Sequence, residues 1–189
     1  MARPWMEVKP FYGDVQETKT LNIPKPLGKE VTLRMFVDSD HTGDKSDRRS
    51  RMGFMIFMNM AMINCHTKKQ ATVEGAVFGA KFVAMKQGVE ALKGIKFKLQ
   101  MMGVNIDGPT YVYGDNMSVI HKTSNPESLL KKKYNSMCYH FVREAVAMRG
   151  CLTTHVPTAR NWADLLMKVI LGKKRRELVQ GVLFEIYNY

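Results

Sequence analysis

Apolar and polar positions alternate along residues 31–37, which is close to the two-residue period of a β-strand. Two further apolar runs, residues 53–58 and 61–66, are separated by only two residues and predict a β-hairpin. Short apolar runs recur at residues 110–113 and 151–156. The pattern therefore predicts five strands, of which the first three are consecutive.

Apolar side chains recur at three- and four-residue steps between residues 73 and 102, which predicts one long amphipathic helix. Shorter helices are predicted at residues 115–123, 137–148 and 161–171, and Gly172 is expected to end the last of them. Because the first three strands are consecutive and the later ones follow helices, we expect an α/β fold with an antiparallel hairpin on a mixed sheet.

The distribution of proline and charge divides the chain into three parts. Residues 1–30 contain four prolines, which favour extended backbone, and we interpret them as a lead-in or linker segment. Residues 31–171 contain all the predicted elements and have the length of one domain. Residues 172–189 begin with a basic run and are interpreted as a basic C-terminal extension.

The net charge narrows the class of partner. The chain has 29 basic and 17 acidic residues, a formal charge of +12, so polyanions such as nucleic acid are the expected partners. The longest uncharged run, residues 52–67, is shorter than the roughly 18 apolar residues of a membrane span. Three isolated cysteines indicate neither a disulfide framework nor a zinc cluster, which favours a reducing intracellular compartment, cytoplasmic or nuclear.

Two basic clusters are candidate contacts to phosphate groups: Arg48, Arg49 and Arg51, and Lys131, Lys132 and Lys133. Each such contact would add salt-sensitive affinity that does not depend on base sequence. A solvated basic surface would have the same composition and stays an alternative. Trp5 and Trp162 stand alone in the sequence, so a platform of repeated aromatic residues for single strands has little support.

Three carboxylates occupy the ends or beginnings of predicted elements. Asp38 ends the first strand, Asp115 follows the fourth and Asp164 lies early in the last predicted helix. Carboxylates held on such rigid positions provide the hard oxygen ligands that magnesium prefers. With 17 acidic residues in the chain, spacing alone does not establish a metal site.

Six short strings, taken together in order and spacing, resemble the ribonuclease H domain at the C-terminal end of Ty1/copia retrotransposon polyproteins. They are FVDSDHTGD, RRSRMGF, KKQATVEGAVFGAKFVAMK, VYGDNMSVI, YHFVRE and NWADLLMK. The resemblance implies a ribonuclease H-like fold in which strands 1–3 are antiparallel and the later strands are parallel. It also implies an enzyme that cuts the RNA strand of an RNA–DNA hybrid with two magnesium ions held by three aspartates and one glutamate.

The resemblance assigns Asp38, Asp115 and Asp164 as catalytic and metal-binding residues, and it places Lys81 where the family has the glutamate. Four carboxylates present about −4 to two divalent ions, whereas three aspartates and one lysine present about −2 and lack a ligand. Magnesium binding is therefore expected to be weak or lost, and hydrolysis impaired. We interpret the chain as a degenerate C-terminal fragment of such a polyprotein.

The sequence has other interpretations besides this one. A non-catalytic module that binds an RNA–DNA hybrid or other nucleic acid stays open, as does a non-functional remnant of the element. An integrase-like nuclease of the same fold is disfavoured because the last carboxylate is Asp164 rather than a glutamate. We expect no membrane partner and no small-molecule substrate.

Overall fold

Five strands form one mixed sheet in the computed structural model, which describes residues 31–41, 46–128, 136–168, 170 and 172–182. The strands are β1 (Leu33–Ser39), β2 (Arg51–Met58), β3 (Ala61–Lys69), β4 (Thr110–Gly114) and β5 (Cys151–His155). Their order is β3-β2-β1-β4-β5, with β1–β2 and β2–β3 antiparallel and β4 parallel to both β1 and β5. The predicted α/β fold is confirmed. The expected lead-in segment, residues 1–30, lies outside the described residues.

The turn between β2 and β3 contains no glycine because an asparagine takes its left-handed position. Asn59 has a φ of 55°. Asparagine tolerates this region because its short polar side chain hydrogen-bonds locally. Here its Oδ1 accepts hydrogen bonds from the backbone N and from Oγ1 of Thr32, at 3.0 and 3.2 Å. The side chain thus ties the hairpin turn to the start of β1.

The described residues form four α-helices beside the sheet: α1 (Val77–Met101), α2 (Met117–Ser124), α3 (Ser136–Ala147) and α4 (Gly172–Val182). The long helix begins later than predicted, at Val77. Gly88 lies inside α1, where an added Cβ would stand 2.9 Å from Cε of Met35. The absence of a side chain at this position allows α1 to pack closely against β1.

The predicted helix at residues 161–171 is wrong. Instead, two 3₁₀ helices, Thr158–Arg160 and Trp162–Leu166, follow β5, and Gly172, with a φ of 67°, begins α4. The buried side chain of Asn161 explains the difference. It donates to the carbonyl of Val37 at 3.1 Å and accepts from the backbone N of Ala163 at 3.3 Å, so it holds the chain against the end of β1.

The core has two parts, one on each face of the sheet. The larger part lies under α1, α2 and α3 and includes the fully buried Met35, Ile56 and Phe82. The smaller part is aromatic and packs Phe36, Met55 and Phe57 of the sheet against Trp162, Ala163 and Val182. The two parts cover opposite sides of β1 and β2 because successive side chains alternate between the faces of a strand.

Helix α4 is the first part of the segment interpreted as a C-terminal extension. Its Val182 belongs to the aromatic part of the core, and Leu178 is also buried. A Cβ added at Gly181 would lie 2.8 Å from Nε1 of Trp162. The boundary at residue 171 stays a prediction, but the residues just after it pack closely on the domain.

Candidate functional site

The three predicted aspartates meet at one end of the sheet. Asp38 lies near the end of β1, and Asp115 directly follows β4, which is the parallel neighbour of β1. The carboxyl ends of parallel strands lie on the same edge of a sheet, which explains why these two residues are close together. Asp164 reaches the same edge from the second 3₁₀ helix and is completely buried, while Asp38 is 2% exposed.

Lys81, in α1, lies between two of these carboxylates. Its Nζ donates a hydrogen bond to Oδ1 of Asp38 at 2.5 Å and another to Oδ1 of Asp115. The lysine side chain is 14% exposed. The other oxygen of Asp115 accepts from Oγ1 of Thr158 at 3.1 Å. An ammonium group therefore stands where both carboxylates would otherwise face a metal ion or solvent.

Two more lysines complete the network. Nζ of Lys168 lies 2.7 Å from Oδ1 of Asp164 and 3.0 Å from Oδ2 of Asp38. From α4, Nζ of Lys174 lies 3.5 Å from Oδ2 of Asp164. Neither lysine was expected from the sequence. The four-residue spacing from Asp164 to Lys168 is a signal that points to this ion pair, because such a spacing brings side chains together in helical turns.

The network affects the pKa of Lys168. Burial by itself lowers this pKa by desolvation, but the hydrogen bond to Asp164 and the charge of Asp38 outweigh it, so the pKa is held above its usual value. The ammonium group thus stays charged at any pH near neutrality. All three aspartates have a cationic partner in this network.

The residues at this site do not fit a pair of magnesium ions as they stand. Three carboxylates face three ammonium groups, so no excess negative charge is left for divalent cations. The cavity beside Lys81 has a volume of about 10 Å³, which is about the space for one water molecule. Within the described ranges, no group of three or more His, Cys, Asp or Glu residues is arranged to hold a metal ion.

Two buried carboxylate oxygens at the site are held only by ion pairs. Oδ2 of Asp38 and Oδ2 of Asp164 are buried, and among the described residues their cationic partners are Lys168 at 3.0 Å and Lys174 at 3.5 Å, without good hydrogen-bond geometry. Buried acceptors without a hydrogen bond are rare and costly in folded proteins. A cation at this edge of the sheet would have to displace at least one ammonium group from these oxygens.

One of the two predicted basic clusters lies at the same end of the sheet. Arg51 opens β2, and Asp38 pairs with Gly53 only two residues further along that strand. The side chains of Arg48, Arg49 and Arg51 are exposed. The other cluster, Lys131, Lys132 and Lys133, lies outside the described residues.

Comparison with known proteins identifies homologues among retrotransposon polyproteins. No family model matches the chain. It is 27% identical over 141 residues to the retrovirus-related Pol polyprotein from transposon RE1 of Arabidopsis thaliana, an alignment that covers 75% of the chain and 10% of the relative. Identity to the Pol polyprotein from transposon TNT 1-94 of Nicotiana tabacum is also 27%, over 147 residues, 78% of the chain and 11% of the relative. The chain thus spans about a tenth of the length of these curated relatives.

Solved structures with similar backbones are RNase H domains. The N-terminal RNase H domain of Rv2228c from Mycobacterium tuberculosis superposes with a TM-score of 0.55 at 14% identity, covering 80% of this chain and 98% of that one. LC11-RNase H1 in complex with an RNA/DNA hybrid gives a TM-score of 0.56 at 14% identity, with coverages of 71% and 93%. These similarities establish the fold.

No helix in the described part of the chain is long and apolar enough to cross a membrane.

Proposed function

Since the fold is that of ribonuclease H and the homologues are Pol polyproteins of Ty1/copia-type retrotransposons, we propose that this chain is a ribonuclease H domain with impaired hydrolysis. Its ancestral reaction is cleavage of the RNA strand of an RNA–DNA hybrid with two magnesium ions. The observation that carries the proposal is the position of Nζ of Lys81, which donates to both Asp38 and Asp115.

Lys81 acts against magnesium in two ways. It supplies no oxygen ligand, and its positive charge repels an approaching divalent cation. Removing the lysine from its two carboxylates would also break a largely buried ion pair, which costs several kcal/mol when one partner loses its counter-charge. The aspartates are the metal ligands of the ancestral site in this proposal, and the ammonium groups now neutralise them.

Nucleic-acid binding does not require this metal site. The chain carries a net charge of +12, and the exposed Arg48, Arg49 and Arg51 lie at the same sheet end as the aspartates. Lys81 itself is poorly placed to contact a phosphate because its ammonium already serves two carboxylates. These features favour, as the second candidate, a module that binds hybrid or other nucleic acid without cleaving it.

The two candidates differ in an assay with an RNA–DNA hybrid whose RNA strand is labelled at its 5′ end. We expect no cleavage above the protein-free control in magnesium. We also expect binding in EDTA that weakens as salt increases, since each phosphate contact contributes about −0.9 to the slope of log K against log salt for duplex DNA. Efficient cleavage by the unaltered protein would contradict the proposal.

Reversal of the charge at residue 81 tests whether Lys81 is the cause. Lys81→Glu restores a fourth carboxylate and is expected to produce magnesium-dependent cleavage and a magnesium-dependent rise in melting temperature. Ligand binding at about 100 times Kd stabilises a folded protein by about 2.7 kcal/mol. Lys98→Glu is the matched control because it makes the same charge change at an exposed position of the same helix. If both variants behave like the unaltered protein, Lys81 is not what prevents hydrolysis.

A further inference from the structure

A cleft of about 350 Å³ lies at the opposite end of the sheet from the aspartates. It is bounded by the second half of α1, by the end of α3 and by the start of β5. Its lining residues are Val89, Leu92, Lys93, Lys96, Phe97, Gln100, Ala145, Gly150 and Cys151. Lys96 comes fifteen residues after Lys81 in α1, so the two are about 22 Å apart along the helix axis. The cleft is therefore separate from the site described above.

Two lysines provide the positive charge of this cleft. Nζ of Lys93 lies 4.4 Å from the ring centroid of Phe141, and Nζ of Lys96 donates to the carbonyl of Gly150 at 3.0 Å. An ammonium group has three hydrogen-bond donors, so these contacts leave donors available to an anion. Burial raises the pKa of Cys151, another lining residue, to about 11, and the positive charges of Lys93 and Lys96 partly offset that rise.

An aromatic side chain stands beside these cations. Phe97 is 63% exposed, so its ring is accessible to a ligand. It shares one face of α1 with Lys93, Lys96 and Gln100, because residues three, four and seven apart lie on the same side of a helix. Further inside, Val89 and Leu92 form an apolar wall that is completely buried.

We propose that this cleft binds a nucleotide of a single-stranded nucleic acid, with its base against Phe97 and its phosphate at Lys93 and Lys96. Charge complementarity supports an anion, since none of the described residues that line the cleft is acidic. A ring next to cations suits a base next to its phosphate, because bases of every sequence stack on aromatic side chains. This binding goes beyond the proposed function and does not depend on the state of the aspartates.

The test measures the fluorescence anisotropy of a labelled oligonucleotide of about eight thymidines over a salt series, a length within the range of single-strand sites. Phe97→Ala is expected to lower the affinity about tenfold, within the range for loss of one stacked base. Lys96→Gln is expected to reduce the magnitude of the salt slope by about 0.7, the value for one phosphate of a single strand. Both positions are on the surface or the rim, so melting curves should be nearly unchanged.

Lys98→Gln is the matched control. It removes the same charge from the same helix, two residues away, where the side chain is exposed and does not line the cleft. We expect it to keep both the affinity and the salt slope. Equal losses in Lys96→Gln and Lys98→Gln would mean diffuse attraction to a basic surface and would overturn the proposal. Displacement of the oligonucleotide by polyglutamate at equal charge concentration would also overturn it, since it would indicate a site for acidic peptides.

Discussion

The two ends of α1 carry lysines in opposite circumstances. Near its beginning, Lys81 is 14% exposed and donates to two buried carboxylates. Toward its end, Lys93 and Lys96 contact an aromatic ring and a carbonyl group, and neither has a carboxylate partner among the described ion pairs. Lysine therefore neutralises the protein's own carboxylates near the beginning of α1, and it remains available to bind an external anion near the end of the helix.

This difference shows that the number of lysines in the chain does not equal the number that are available to bind nucleic acid. Lys81, Lys168 and Lys174 contribute to the net charge of +12, but their charge is balanced locally by three aspartates. A buried pair is also sensitive to the loss of one partner, whereas an exposed cation is not. The two ends should therefore respond differently to the same kind of substitution.

The largest effect is expected from Lys81→Met, which leaves Asp38 and Asp115 without their shared cation. The free energy of unfolding should fall by about 3 kcal/mol, at the lower end for a broken buried pair because Lys168 still faces Asp38. Urea denaturation measures this change. Lys98→Met, at an exposed site of the same helix, should cost no more than about 0.5 kcal/mol. Equal costs for the two variants would contradict the contrast.

A smaller effect is expected from Lys168→Met, since this side chain is 37% exposed and solvent screens its ion pairs. The expected cost is about 1 kcal/mol. Because the folded state raises the pKa of Lys168, its contribution is complete below the usual lysine pKa and is lost only as pH rises through the raised value. Urea denaturation at pH 7 and pH 9 should therefore give the same difference between variant and parent. A cost that disappears by pH 9 would refute this assignment.

The smallest effect on stability is expected from Lys93→Gln, at the other end of the helix. Loss of its cation–π contact with Phe141 should cost about 0.5 kcal/mol. The same variant should weaken binding of the thymidine oligonucleotide. Thermal melting and fluorescence anisotropy on one preparation measure both quantities. If Lys93→Gln lost as much stability as Lys81→Met, the proposed difference between the two ends of α1 would be wrong.

The strands β1 and β2 were predictable because their apolar residues are buried, whereas the apolar run of β3 is exposed. In β1, Leu33, Met35 and Val37 belong to the larger part of the core and Phe36 belongs to the aromatic part on the other face, as the two-residue period requires. The β2–β3 turn was placed correctly, although the role of Asn59 in it comes from a contact with Thr32, 27 residues away. Long-range contacts of this kind leave no periodic signal in the sequence.

The end of the domain was predicted less well, for the same reason. The apolar spacing of residues 161–171 is compatible with a helix, but the hydrogen bond from Asn161 to Val37 joins positions 124 residues apart and overrides it. The meeting of the three aspartates at one sheet edge agrees with the resemblance to ribonuclease H domains. The spacing of Asp164 and Lys168 indicates their ion pair. The contacts of Lys168 with Asp38 and of Lys174 with Asp164 were not predictable, because they depend on how a 3₁₀ helix and α4 approach β1.

The close contact between Gly181 and Trp162 has a consequence for any shortened form of this protein. It fixes α4 on the aromatic part of the core, and the same helix carries Lys174 to Asp164. A stop codon after residue 171 would expose the indole ring of Trp162. It would also remove Lys174, one of the positive charges beside the buried carboxylate of Asp164. The start of the segment interpreted from composition as a basic C-terminal extension therefore covers the aromatic side chains and also supplies a positive charge to Asp164.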